Sequence, residues 1–403
     1  SELFECVGVD QIAPGRGYWR AFQIAFLLMN LRSIAIDYDE DRETVELIWF
    51  PTGGGKTEAY LGLTAYSLFM RRLNDKEDIG VHVLMRYTLR LLTAQQFQRA
   101  CGLICAMEYL RRQQSDLLGN HSFSIGLWLG SDSTPNTRNT AIKKLKELWK
   151  GGPDVENVFA VLRCPWCRAE MGPIAVGSGR GKKNHILGYE QSGQTVVFKC
   201  PDSSCDFTSG LPLYVTDEDM YEDRPSLVIG VVDKFASLTW NPSIRSLFGI
   251  DPEGDRICSP PGLIIQDELH LISGPLGSMV GLYETLIEEL CTDRRNGEVI
   301  RPKIVSSTAT IRRYHDQVRS LYARDTVALF PPSGLDADDS FFAKYKRNPD
   351  GSIAPGRKYV GINAPGLGSL QNTEVRTYTA LLQATVGWQP EEQDPWWTLL
   401  IFF

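Results

Sequence analysis

The sequence has no apolar run long enough to cross a bilayer. Its longest candidate, Ala21 to Leu31, is broken by Gln23 and Asn30. It opens on no secretory signal, so no membrane or export role is expected, and the predicted location is the cytoplasm. Positive charge is not in excess either. The formal net charge of −7 argues against a uniformly basic nucleic-acid binder. A local basic track is still allowed, because contact is made by a face and not by a mean. Cysteine is too sparse for a disulfide scaffold. Of nine cysteines in 403 residues, Cys6, Cys101, Cys105, Cys258 and Cys291 are scattered and read as small core residues of a protein in a reducing compartment. The rest is ordinary, with 43% apolar and 23% charged residues in a chain long enough for two or three domains.

What the sequence does have is a glycine turn between two periodic runs. Val45 to Phe50 reads as a strand and Glu58 to Tyr66 as a helix. Between them stands Pro51-Thr52-Gly53-Gly54-Gly55-Lys56-Thr57. Glycines let successive backbone N–H groups converge on a phosphate, and the helix points its positive end at the same anion. Lys56 is placed to reach the β- and γ-phosphates of ATP, and the Thr57 hydroxyl to hold Mg²⁺. Thr52, Gly53, Gly54 and Gly55 complete the cradle. The usual P-loop has Gly at its first position; here that position is Phe50.

Strand-like runs recur at Val81–Arg86, Phe123–Leu129, Ser226–Val232 and Gly262–Gln266. The last ends in Asp267-Glu268-Leu269-His270. An NTPase of this kind needs one acid at a strand end for Mg²⁺ and a second to activate water. Asp267 fits the first role and Glu268 the second. A helix is expected over roughly 276–290, then a strand from Lys303 ending in Thr308-Ala309-Thr310.

Cys164-Pro-Trp-Cys167 and Cys200-Pro-Asp-Ser-Ser-Cys205 make two close pairs. Their thiolates can converge on one tetrahedral Zn²⁺, leaving no open position, so the ion would be structural. A redox pair is the alternative, which the second pair disfavours. The lysines of 139–150 (Lys143, Lys144, Lys146 and Lys150) read as a solvated helix face, and the basic loop from Gly177 to His185 as either solvated or phosphate-facing.

In this order the motifs resemble the first RecA-like domain of a superfamily 2 helicase of the DEAH-like type. The flanking residues, with the four-cysteine insertion, resemble the helicase-like subunit of DISARM bacterial anti-phage systems. The resemblance implies an α/β fold, a RecA-like P-loop parallel sheet with helices on both faces. It implies that Arg20 and Gln23 contact the adenine, although a solvated helix explains them equally. It gives His270 a place in the acid motif and makes Thr88, Arg90, Gln95 and Lys234 nucleic-acid contacts. Thr308 and Thr310 become the link between hydrolysis and nucleic-acid binding. DNA and a partner subunit of the same system are the implied partners. The expected layout is 1–150 and 223–328 for the RecA-like domain, 151–222 for the zinc ribbon, 329–395 for a linker or insertion, and 396–403 for the first strand of a second RecA-like domain. Two other functions stay open: a recognition module with a regulatory or idle ATP site, and an RNA remodeller. Since the second domain supplies the arginine finger in this superfamily, the chain alone is expected to bind nucleotide weakly and hydrolyse it slowly. A phosphate-release assay with and without DNA checks this.

Overall fold

The computed structural model describes the chain apart from residues 1–17, 51–53, 152–154, 177–182, 296, 309–312, 333, 336–340, 343, 357–359, 364–365, 367–368 and 394–403; for residues 90–92, 175–176, 183–184 and 392–393 it describes the backbone alone. Two units divide it, Ser1–Phe342 and Ala343–Phe403.

The first unit opens with α1 (Ala21–Ala35), β1 (Val45–Trp49), α2 (Lys56–Asn74), β2 (Val83–Tyr87), α3 (Arg90–Gln113) and a short α4 (Ser115–Leu118). Next come β3 (Ile125–Trp128), α5 (Arg138–Lys150) and two hairpin pairs, β4 (Gly172–Val176) with β5 (Lys183–Leu187) and β6 (Tyr189–Ser192) with β7 (Thr195–Phe198). It closes with β8 (Leu213–Tyr214), α6 (Asp217–Asp223), β9 (Leu227–Val231), β10 (Leu263–Gln266), α7 (Gly274–Cys291), β11 (Lys303–Thr308), α8 (Tyr314–Tyr322) and β12 (Val327–Phe330).

Eight strands form one sheet in the order β12-β1-β11-β10-β2-β9-β3-β8, every described pair parallel. The apolar runs form central strands because both faces are covered. Alternate residues enter opposite cores: Ile48, Met85, Ile229, Ile265 and Val305 pack with Tyr60, Leu63, Phe97 and Ile104 of α2 and α3. Leu47, Leu84, Val228, Ile264 and Ile304 pack with Val280, Ile287, Val318 and Leu321 of α7 and α8. The sheet runs through Phe330, past the expected end of the RecA-like portion at residue 328.

The cysteine module lies between α5 and β8. Phe159, Phe198 and Phe207 are fully buried or nearly so, and belong to the same core as α2 and α3. Trp166 stacks on Tyr109 of α3 with ring centroids 5.1 Å apart, and the Arg112 guanidinium sits 4.7 Å from the Phe207 ring. In the second unit, the stretch expected as a linker holds a turn at Asn348–Ser352 and two helices, α9 (Leu370–Ala384) and α10 (Pro390–Gln393). No described residue of α9 is buried. The segment 396–403 lies outside the described residues.

One polar contact interrupts the second core. Arg86 of β2 is paired in bidentate fashion with Glu284 of α7, at 2.7 and 3.0 Å, with side-chain exposures of 1% and 3%. Removing one partner strands a buried charge, whereas replacing both does not. Arg86→Met should therefore destabilise the chain by about 3–5 kcal/mol, and the double change Arg86→Met/Glu284→Leu should recover most of that loss. Denaturant titration of the three proteins checks it.

Candidate functional site

Phe50 closes β1, and its ring stacks on Phe22 of α1 with centroids 3.9 Å apart. The departure from Gly at this position is thus a packing anchor that brings α1 to the glycine turn. Arg20 Nη1 donates to the Gly54 carbonyl at 2.6 Å, and Gln23 Nε2 to the Gly55 carbonyl at 2.8 Å. Gln23 is buried, so it is not a solvated bystander. Gly55 has φ +97°, and a Cβ there would stand 2.7 Å from Gln23 Nε2. The next residue, Lys56, opens α2. Its ammonium is buried and donates to the Phe50 carbonyl at 3.1 Å. Thr57 follows in the first turn of α2. Thr52 and Gly53 lie outside the described residues.

The acids stand at the end of β10, two strands away from β1 with β11 between. The Asp267 N–H donates to the Arg86 carbonyl of β2 at 3.0 Å. Its carboxylate is buried; Oδ1 accepts the Ser307 hydroxyl of β11 and, at 3.0 Å, the Glu268 N–H. Glu268 has φ +50°, a left-handed conformation that a non-glycine residue keeps only where its surroundings impose it. His270 Nδ1 lies 3.3 Å from a Glu268 carboxylate oxygen. Gln317 Nε2 of α8 donates to the carbonyls of Leu269 and Ile272, at 2.8 Å each, and fixes the loop behind the acids.

Lys56 and Asp267 therefore both sit at the carboxyl ends of parallel strands, where open α/β sheets bind ligands. Strand alternation also assigns a face. Ser307 lies two residues beyond Val305 and Asp267 two beyond Ile265, and both of those pack against α2. Ser307 was not among the hydroxyls expected here. Thr308, which was, is buried at the end of β11 on the other face, and Thr310 lies outside the described residues. Of the expected nucleic-acid contacts, Thr88 is half-buried just beyond β2 and Gln95 is exposed on α3. Arg90 opens α3, its side chain outside the described set. Lys234 is engaged: its ammonium lies 2.7 Å from Asp217 and 3.3 Å from Asn136 Oδ1.

The cysteines meet. The Sγ atoms of Cys164, Cys167, Cys200 and Cys205 all lie within 4.8 Å of one another, with Cys164–Cys205 at 3.9 Å and Cys167–Cys200 at 3.4 Å. A tetrahedral ion with thiolates at about 2.3 Å needs sulfurs about 3.8 Å apart. Each pair rides on a tight turn: Cys164 N–H donates to Ala169, and Cys200 N–H to Phe207, at 2.8 and 3.0 Å. The cluster is able to chelate a metal.

The parallel sheet with the glycine loop and the acid pair at its carboxyl edge defines a RecA-like P-loop NTPase fold. No family model matches the sequence. The chain is related to the DISARM protein DrmA of Bacillus paralicheniformis, with 38% identity over 431 aligned residues covering 96% of this chain and 37% of DrmA. It thus spans a little over a third of that relative's length. Among solved structures it is similar to the DUF1998 helicase MrfA bound to DNA and AMPPNP, with TM-score 0.42, 14% identity, and 83% of this chain and 29% of that one covered. It is also similar to Mss116p bound to ssRNA and AMP-PNP, with TM-score 0.38, 10% identity, and 81% and 44% covered. Among the described residues no helix is long and apolar enough to cross a membrane.

Gly55→Ala puts an L-residue at φ +97° and pushes on Gln23. It should destabilise the domain by about 1–3 kcal/mol, seen as a lower melting temperature.

Proposed function

We propose that this chain is the nucleotide-binding part of an ATP-driven motor that moves on DNA in anti-phage defence. The observation that carries this reading is the placement of Lys56 and the Asp267–Glu268 pair at the carboxyl edge of one parallel sheet. The relation to DrmA supports the defence context, and a partner subunit of the same system and a cytoplasmic location belong to the same proposal.

The roles follow from the chemistry of each group. Lys56 exchanges the Phe50 carbonyl for phosphate oxygens, a charge-assisted bond in place of a neutral one. Arg20 and Gln23, already on the glycine turn, present polar atoms toward the base. Thr57 and Asp267 would hold Mg²⁺, which when bound neutralises charge building on the phosphates. Glu268 takes a proton from the attacking water, and His270 orients its carboxylate. Thr308 and Thr310 relay the state of this site to the nucleic-acid face. Thr88, Arg90 and Gln95 contact the DNA backbone, and Lys234 joins them if phosphate replaces Asp217. The four thiolates suit Zn²⁺ in a closed, structural site.

In a protein that carries this chain together with a second RecA-like domain, Glu268→Gln should lower DNA-stimulated phosphate release by about 10²–10⁴-fold while leaving DNA affinity at a fixed salt within about twofold. Metal analysis of the same preparation should return one zinc per chain, lost in Cys200→Ser. Unchanged defence in Lys56→Ala cells would favour a recognition module with an idle site, and preference for RNA over DNA would favour a remodeller.

A further inference from the structure

Helix α5 has the hairpins of the cysteine module on one side and a row of lysines on the other. Ala141, Leu145 and Leu148 form its buried face, set against β5, β6 and β7. Lys143, Lys146 and Lys150 stand three and four residues apart and so share the opposite face. All three are exposed, and none has a hydrogen bond or ion pair among the described residues. The one acid of the helix, Glu147, is taken by Lys144 at 3.1 Å. Trp149 flanks the row. It is 49% exposed, with no hydrogen bond or ring contact among the described residues.

Like charges at these spacings repel and weaken a helix. A face that served only to stay wet would mix signs, as solvated helices do. Lys150 lies in the last turn, where the helix dipole favours it, but Lys143 and Lys146 lie before that turn. The surrounding charge points the same way. Arg138 to Asp206 hold eleven Lys and Arg against seven Asp and Glu, whereas the whole chain has 42 against 49. The row thus belongs to the basic stretch of an acidic protein, and a polyanion is the partner that such a face fits.

Resting on the DNA reading above, we propose that this face of α5 is a contact surface for single-stranded nucleic acid, outside the helicase motifs. From Lys143 to Lys150 the row runs about 10 Å along the helix axis, the length of a short run of phosphates and not of one anion. Trp149 offers beside it the aromatic plane on which an unpaired base stacks, and the paired bases of a duplex are closed to it. An acidic protein surface, which also fits the lysines, is separated from this partner by the test.

The test is fluorescence anisotropy of this chain with a labelled oligo-dT and with a duplex of equal length, over a salt series. Lys143→Gln/Lys146→Gln/Lys150→Gln should melt level with or above the unaltered chain, because a repulsion is removed. It should bind oligo-dT about tenfold more weakly at low salt, and the slope of log affinity against log salt should shrink by about 2. Trp149→Ala should weaken oligo-dT binding about tenfold and leave duplex affinity and the salt slope unchanged, while Trp149→Phe, which keeps a ring, should retain most of the affinity. Unchanged affinity and slope in the lysine variant overturn the proposal and leave the row to an acidic protein. An equal loss on oligo-dT and duplex in Trp149→Ala overturns it too. Gln95→Ala separates the two levels: if it weakens binding and the lysine variant does not, the DNA reading stands and this surface falls. If the unaltered chain binds neither ligand at low salt, both fall.

Discussion

A buried carboxylate needs hydrogen-bond donors for its oxygens. Asp267 meets that demand with donors from two places, the Ser307 hydroxyl of the neighbouring strand and the N–H of Glu268. Its own N–H is meanwhile held by β2. Three adjacent strands thus fix one acid. The rest of the site inherits its placement from this arrangement. For the Glu268 N–H to reach back to Asp267, the chain turns left-handed, which aims the second carboxylate away from the strand axis and toward His270. The strain at Glu268 is local and is opposed by bonds on both sides.

The helix that follows is held by polar struts where an apolar core would have been as stable. Glu284 of α7 takes the Arg86 guanidinium, Tyr283 donates to the Val232 carbonyl at 3.0 Å, and Gln317 holds the loop before the helix. Directional contacts of this kind define one rotation and one height for the helix, which hydrophobic contacts alone leave looser. Arg86 joins two parts of the frame, its carbonyl to Asp267 and its side chain to α7. A displacement at the acids and one at the helix are therefore not independent.

The sequence showed six of the eight sheet strands because their runs are largely apolar, missing the two edge strands β8 and β12, and it showed the loop and the acids because their chemistry sits in contiguous residues. It did not show Ser307, Arg86 or Gln317, whose partners lie 40 to 198 residues away and are brought to them only by the fold. Alternation along β11 would have separated Ser307 from Thr308, given Val305 as the marker of the inward face. The helix α9 was missed although Val375, Tyr378 and Leu382 recur on it at helical spacing, and none of its described residues is buried. Cysteine spacing gave the four sulfurs that meet in one cluster but could not say where the module rests.

That resting place follows from size. A module of about 60 residues carries too little apolar surface to fold on its own core and needs a metal or a neighbour. This one uses both. The sulfurs gather its two turns, while Phe159, Phe198 and Phe207 continue the core beneath α3. Trp166 lies between the turns of the first cysteine pair, stacks on Tyr109, meets Phe207 edge-on and donates to Asp206 at 3.0 Å. The same side chain therefore belongs to the metal knuckle and to the surface of α3. Because the ligands and the helix share it, the geometry of the sulfur cluster and the seating of α3 are set together, and the module is a brace for the RecA-like core as well as a site of its own.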